Sequence, residues 1–74
     1  MPYIKIKCYP KDEETKRKVA DRIDETFLEL WGCSAQAISV SFEEVNPEDW
    51  QEVVKNEIEP ASDNMMIMEG KKKY

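Results

Sequence analysis

Histidine is absent from the 74 residues, and cysteine occurs only twice. Without an imidazole the chain supplies no Ser-His-Asp triad, no Cys-His pair, no His-ligated metal site and no His proton shuttle. Two thiols are too few for a disulfide framework or a four-thiolate zinc site, so no metal is expected. Cationic residues are the minority, 11 Lys and Arg against 16 Asp and Glu, a net charge of −5 at pH 7. That balance argues against nucleic-acid binding, which rests on phosphate neutralisation. No 18-residue apolar run occurs, so no membrane span is expected. The N-terminus also lacks the basic and apolar regions of a secretory signal. These absences point to a reducing cytoplasm, with Cys8 and Cys33 as free thiols. A single domain over residues 1–74 is expected. Below ~70–80 residues one core supplies only a few kcal/mol, so self-association is the expected supplement to a chain without staples.

What is present reads as a compact α/β pattern. Ile4, Ile6 and Cys8 alternate with Tyr3, Lys5, Lys7 and Tyr9, the period of two of a strand. Pro10 stops the ladder. Asp12 is placed to cap a helix with Glu13 and Glu14 in its first turn. Val19, Ala20, Ile23, Phe27, Leu30 and Trp31 then recur at spacings of three and four, one apolar stripe ending at Gly32. Glu13–Arg17 and Glu14–Lys18 are candidate i,i+4 pairs on the other face. A second strand is expected over residues 37–45, with Ile38, Val40 and Phe42 on one face and Ser39, Ser41 and Glu43 on the other. Strand, long helix and strand form a right-handed βαβ unit with parallel strands. A short second helix is expected from Pro47 to Glu59, with Asn46 as its cap and Trp50, Val53, Val54 and Ile58 as its stripe. Met65, Met66 and Met68 are expected to cover an oligomer interface, and the Lys71–Lys73 tail to be disordered. Two strands leave both sheet edges unpaired, so the sheet is expected to be completed by another copy.

Only one group can work as a base near neutrality without histidine, and it lies at the start. A small second residue such as proline permits removal of the initiator methionine, which leaves Pro2 with a free secondary amine. A reference α-amino group has a pKa near ~7.7–8.0, and burial or nearby cations lower it further. The first eleven residues hold Lys5, Lys7 and Lys11 and no acid. A neutral amine there can move a proton between oxygen and carbon, the work of a general base whose pKa matches the operating pH. Cys8 and Cys33, with no activating partner, read as packing residues.

The opening Met1-Pro-Tyr-Ile-Lys-Ile-Lys-Cys-Tyr-Pro10, the acidic helix start, the Gly32-Cys33 pair and Ile38-Ser-Val-Ser-Phe-Glu-Glu-Val45 together resemble the 4-oxalocrotonate tautomerase family. Glu44-Val-Asn-Pro-Glu-Asp-Trp50 and the residues up to Pro60 are similar to its longer-chained, dimeric branch acting on phenylenolpyruvate-like enols. The resemblance covers residues 2–60. It implies that Pro2 is the catalytic base and that Lys11 stands where members usually carry a carboxylate-binding arginine. Lysine keeps that charge without the bidentate fork. Ser39 falls where hexameric members use a second arginine for dicarboxylates, so a monocarboxylate with an apolar or aromatic tail is implied. Trp50 falls at an aromatic wall of the pocket.

The reading that follows is a cofactor-independent keto–enol tautomerase acting on a small enol or 2-oxo monocarboxylate. Pro2 is its base; Lys11, Ser39 and Trp50 contact substrate. A homodimer is favoured over a hexamer, because a helix replaces the hairpin with which shorter relatives build hexamers. Two alternatives remain at this level. One is a non-catalytic βαβ interaction module, favoured if Met1 is retained and Pro2 is therefore an amide. The other is a hydratase or dehalogenase on the same scaffold, with Glu43 or Glu44 activating water.

Overall fold

The computed structural model describes residues 1–74. Strand β1 spans Tyr3–Cys8 and helix α1 spans Glu13–Thr26, followed by a π-helical turn over Phe27–Trp31. A 3-10 turn over Ala35–Ala37 leads into strand β2, Ser39–Glu44. A further 3-10 turn over Pro47–Asp49 starts helix α2, Trp50–Val53, which widens into a π-helical turn over Val54–Ile58. After a 3-10 turn at Ser62–Asn64, strands β3 (Ile67–Met68) and β4 (Lys71–Lys72) form a small antiparallel hairpin.

β1 and β2 pair in parallel, Tyr3 opposite Ser39 through Cys8 opposite Glu44, and form the expected βαβ unit with α1 as the crossover. The ladder runs one bond past each end: Ser39 N–H donates to the Pro2 carbonyl at 3.1 Å, and Val45 N–H to the Cys8 carbonyl at 2.8 Å. Alternation puts Ile4, Ile6 and Cys8 on one sheet face with Val40, Phe42 and Glu44. That is the face α1 covers, because Lys16 of α1 reaches Glu44 at 3.2 Å. The opposite face carries Tyr3, Lys5, Lys7, Ser41 and Glu43. There Tyr3 Oη and Ser41 Oγ lie 2.9 Å apart, and Lys5 pairs with Glu43 at 2.9 Å. Glu57, in the second helical segment, reaches the same face and pairs with Lys7.

Local chemistry sets the element ends. The Asp12 carboxylate accepts from Thr15 N–H at 2.9 Å, satisfying an otherwise unpaired donor of the first turn. Of the two candidate pairs along α1, Glu14–Lys18 forms at 3.2 Å. Gly32, at φ 76°, ends the helical segment in the left-handed conformation that glycine adopts without a Cβ clash. Asn46 makes no side-chain cap; its carbonyl instead accepts Asp49 N–H at 2.9 Å.

Two expectations are corrected and one is refined. Leu30 and Trp31 leave the apolar stripe and are 83% and 69% exposed, because the π turn adds residues to each revolution and swings them off the face that Ile23 occupies. The expected second helix forms without a break, starting as a 3-10 turn at Pro47, continuing as α and ending as a π-helical turn at Ile58. The lysine tail is ordered: Glu69 and Gly70, both at positive φ, make a two-residue turn that folds β4 back on β3. Lys73 N–H bonds the Met66 carbonyl at 2.8 Å, and its ammonium reaches the Ser62 carbonyl.

Candidate active site

The four residues singled out by sequence separate into two pairs. Pro2 and Ser39 meet at the N-terminal end of the sheet, joined by the bond from Ser39 N–H to the Pro2 carbonyl. Lys11 and Trp50 meet at its C-terminal end, where both line a cleft of about 740 Å³. β1 lies between the pairs, and six residues of strand span roughly 20 Å. One copy of the chain therefore does not bring Pro2 within reach of Lys11. The strand is legible in the sequence, but the separation it imposes on Pro2 and Lys11 is a property of the fold.

The cleft is built from three elements. β1 and its exit contribute Lys7, Tyr9 and Lys11, α1 contributes Lys16 and Val19, and Trp50 closes one side. The Trp50 ring meets Tyr9 edge-on, with centroids 5.2 Å apart and planes at 84°, a favourable aromatic arrangement. The three lysines of the cleft differ in availability. Lys7 is paired with Glu43 and Glu57, and Lys16 with Glu44. Lys11 alone has no carboxylate partner for its ammonium, while its backbone N–H is fixed to Glu44 Oε2 at 2.9 Å. A loop clamped through its backbone thus presents a free cation in an aromatic-walled cleft. A second hollow of about 640 Å³ runs along α1 from Thr15 to Phe27 and includes none of the four.

The acids are engaged rather than free. Glu44 is held below the usual carboxylate range, first by the Lys11 backbone N–H and then by the Lys16 ammonium. Glu43 is lowered by its hydrogen bond and charge attraction to Lys5. Lys5 and Lys16 are raised in turn by hydrogen bonds to Glu43 and Glu44. Two sequence arguments change as a result. The acid-free start of the chain is not a free cationic patch, since Glu43 and Glu57 come from distant sequence to neutralise Lys5 and Lys7. Glu43 and Glu44 are ion-pair partners, which weakens the case for either as a water-activating acid.

No group of histidine, cysteine or acidic side chains is arranged to hold a metal ion, and both cysteines are free thiols. No helix is long and apolar enough to cross a membrane. A parallel βαβ unit with Pro2 at one end of the sheet and a cationic, aromatic cleft at the other fits the architecture of a small tautomerase. The family model described as "Tautomerase enzyme" matches residues 2–56. The chain is 32% identical over 72 residues to Tautomerase PptA of Shigella sonnei (strain Ss046), covering 95% of this chain and 96% of that protein. It is 31% identical, with the same coverage, to Tautomerase PptA of Escherichia coli (strain SMS-3-5 / SECEC), and 32% identical to that of Escherichia coli O127:H6 (strain E2348/69 / EPEC). The chain belongs to the 4-oxalocrotonate tautomerase family, a family of isomerases.

Proposed function

We propose that the protein is a cofactor-independent cytoplasmic keto–enol tautomerase whose base is the amine of Pro2, exposed by removal of Met1. The observation that carries this reading is the family match beginning at Pro2, in a chain with no histidine to serve instead. The substrate class is a small enol or 2-oxo monocarboxylate of the phenylenolpyruvate kind. Neutral Pro2 takes the enol hydroxyl proton, the O–H electron pair forms the carbonyl π bond, and the carbon–carbon π pair takes a proton from the protonated amine to form the new C–H bond. The reaction is an isomerisation and needs no external electron carrier. Lys11 binds the carboxylate and stabilises charge developing on the enolate. Trp50 covers the substrate ring, and Ser39 lines the site beside Pro2 without adding a second cation.

The working site is shared between two copies. β1 is paired with β2 on one side only, so its other edge is free. Two such edges paired antiparallel about a two-fold axis place the start of one β1 beside the end of the other. Pro2 and Ser39 of one copy then face Lys11 and Trp50 of the second, and residues 1–74 form one half of a dimer.

The test has two parts. Intact mass of the purified protein is expected to be lower than the encoded chain by one methionine. A version with an N-terminal extension, which keeps Pro2 in peptide linkage, is expected to lose phenylenolpyruvate tautomerisation by roughly 10²–10⁴-fold, the usual worth of a general base. An extended protein that retains full activity overturns the proposal.

A further inference from the structure

Trp50 lines two cavities. One is the lysine-bearing cleft; the other is an apolar pocket of about 390 Å³ between the second helical segment and the C-terminal hairpin. Val54 and Ile58 form one wall of that pocket, and Met65, Ile67 and Met68 the other. Its volume and apolar lining fall within the range of pockets that hold small organic groups. Methionine is unbranched and polarizable, so a wall with two methionines adapts to tails of different shape. None of these side chains is completely buried, and Ile67 is 55% exposed, so the pocket opens to solvent.

Resting on the proposed tautomerase site and extending it, we propose that this pocket is a tail subsite. It takes the alkyl or aryl end of a monocarboxylate whose head is held at Lys11 in the adjoining cleft. Charge complementarity fixes the occupant. The cleft offers the unpaired ammonium of Lys11, and the apolar pocket has a single charged lining residue, the acid Glu69. A ligand with one anionic and one uncharged end fits in one orientation, with its tail toward Trp50. A dicarboxylate would set its second charge against Glu69, among apolar side chains that offer it no partner. The ligand class is therefore an amphipathic monoanion, with a tail longer than a single methyl group.

Three of the four methionines of the chain, Met65, Met66 and Met68, supply the measurement. Met65 and Met68 line the pocket, whereas Met66 is 65% exposed and does not. With the full chain labelled at the methionine ε-methyl groups, titration with 4-phenylbutanoate is expected to shift Met65 and Met68 saturably and leave Met66 in place. Acetate at equal concentration is expected to move none of them. Lys11→Gln is expected to weaken 4-phenylbutanoate binding roughly tenfold, as loss of a charge-assisted contact does, and to leave binding of uncharged 4-phenylbutan-1-ol unchanged. Equal shifts at all three methionines, or no shift at any, overturn the proposal. So do Met65 and Met68 signals that respond to protein concentration and not to ligand, because a second copy then fills the pocket. The experiment needs neither turnover nor a free Pro2. Failure of the tautomerase reading therefore appears as binding without activity, and failure of the subsite as activity without these shifts.

Discussion

At the scale of single residues, Lys11 and Glu44 form a working pair in which one positions the other. Glu44 holds the backbone of the Lys11 loop and the Lys16 ammonium at once, so its charge fixes where the free cation sits. Glu44→Gln is expected to raise KM for a carboxylate substrate while changing kcat little, since the altered group does not meet the reacting atoms. Lys11→Arg, by contrast, is expected to lower KM several-fold, because a guanidinium grips a carboxylate through two parallel bonds. Steady-state kinetics on phenylenolpyruvate checks both. The pH response has a definite sign. Folding lowers the Glu44 pKa from its ordinary 4.5, so the stabilisation it brings is complete above that value and disappears as pH falls through the depressed one. Asp12 behaves alike, lowered from 3.8 mainly by the Thr15 backbone N–H. Asp12→Ala is therefore expected to lower the urea midpoint at pH 7 and to narrow its gap from the parent as the medium is acidified below pH 4.

At the scale of elements, the hairpin that closes the tail pocket depends on an awkward turn. Glu69 has φ 51° and Gly70 φ 80°, the pair of left-handed residues a two-residue hairpin turn demands. Glycine adopts this freely, whereas a glutamate clashes with its own backbone and an asparagine tolerates the conformation far better. Glu69→Asn is expected to stabilise the hairpin by up to about 1 kcal/mol, read as slower amide exchange at Lys71 to Lys73. The contrast between this hairpin and β1 shows what the sequence makes legible. Six alternating residues define β1, and Asp12 with its acidic first turn defines the start of α1, because period and capping chemistry are local. β2 is legible in its two faces for the same reason, and its register with β1 comes from the structure. Strands of two residues have no period to read, and lysines carry little β preference, so β3 and β4 are visible only through Gly70 and their contacts. The π turns are equally silent, since one extra residue per turn preserves composition while rotating Leu30 and Trp31 away from the stripe. The candidate site follows the same division. Residue chemistry points to Pro2 and the family resemblance to Lys11 and Trp50, but the engagement of Lys5 and Lys7 by Glu43 and Glu57 depends on contacts 36 or more positions apart.

At the scale of the whole molecule, a single chain leaves its apolar surface uncovered. Val53, at 8% exposure, is its one buried residue, while Tyr3, Leu30, Trp31, Met66 and Ile67 are each more than half exposed. Fully burying one large apolar side chain is worth ~1.5–3 kcal/mol, so a second copy covering even two or three of these gives a strong drive to associate. A stability that depends on association rises with protein concentration, and light scattering is expected to give a mass of two chains. The shared site leads to a sharper expectation. In a dimer of the Pro2→Ala chain both sites lack the secondary amine; in a dimer of the Lys11→Gln chain both lack the anion-binding cation. When the two proteins are unfolded together and refolded at equal concentration, about half of the dimers are mixed. Each mixed dimer unites the Pro2 of the Lys11→Gln chain with the Lys11 of the Pro2→Ala chain in one intact site, and gathers both defects in the other. Activity on phenylenolpyruvate is therefore expected to rise from near zero to about one quarter of the parent value. A site contained within one chain predicts no recovery at any ratio, because every copy then carries a defect in its own site. The roughly 20 Å of β1 between Pro2 and Lys11 is what separates these two outcomes.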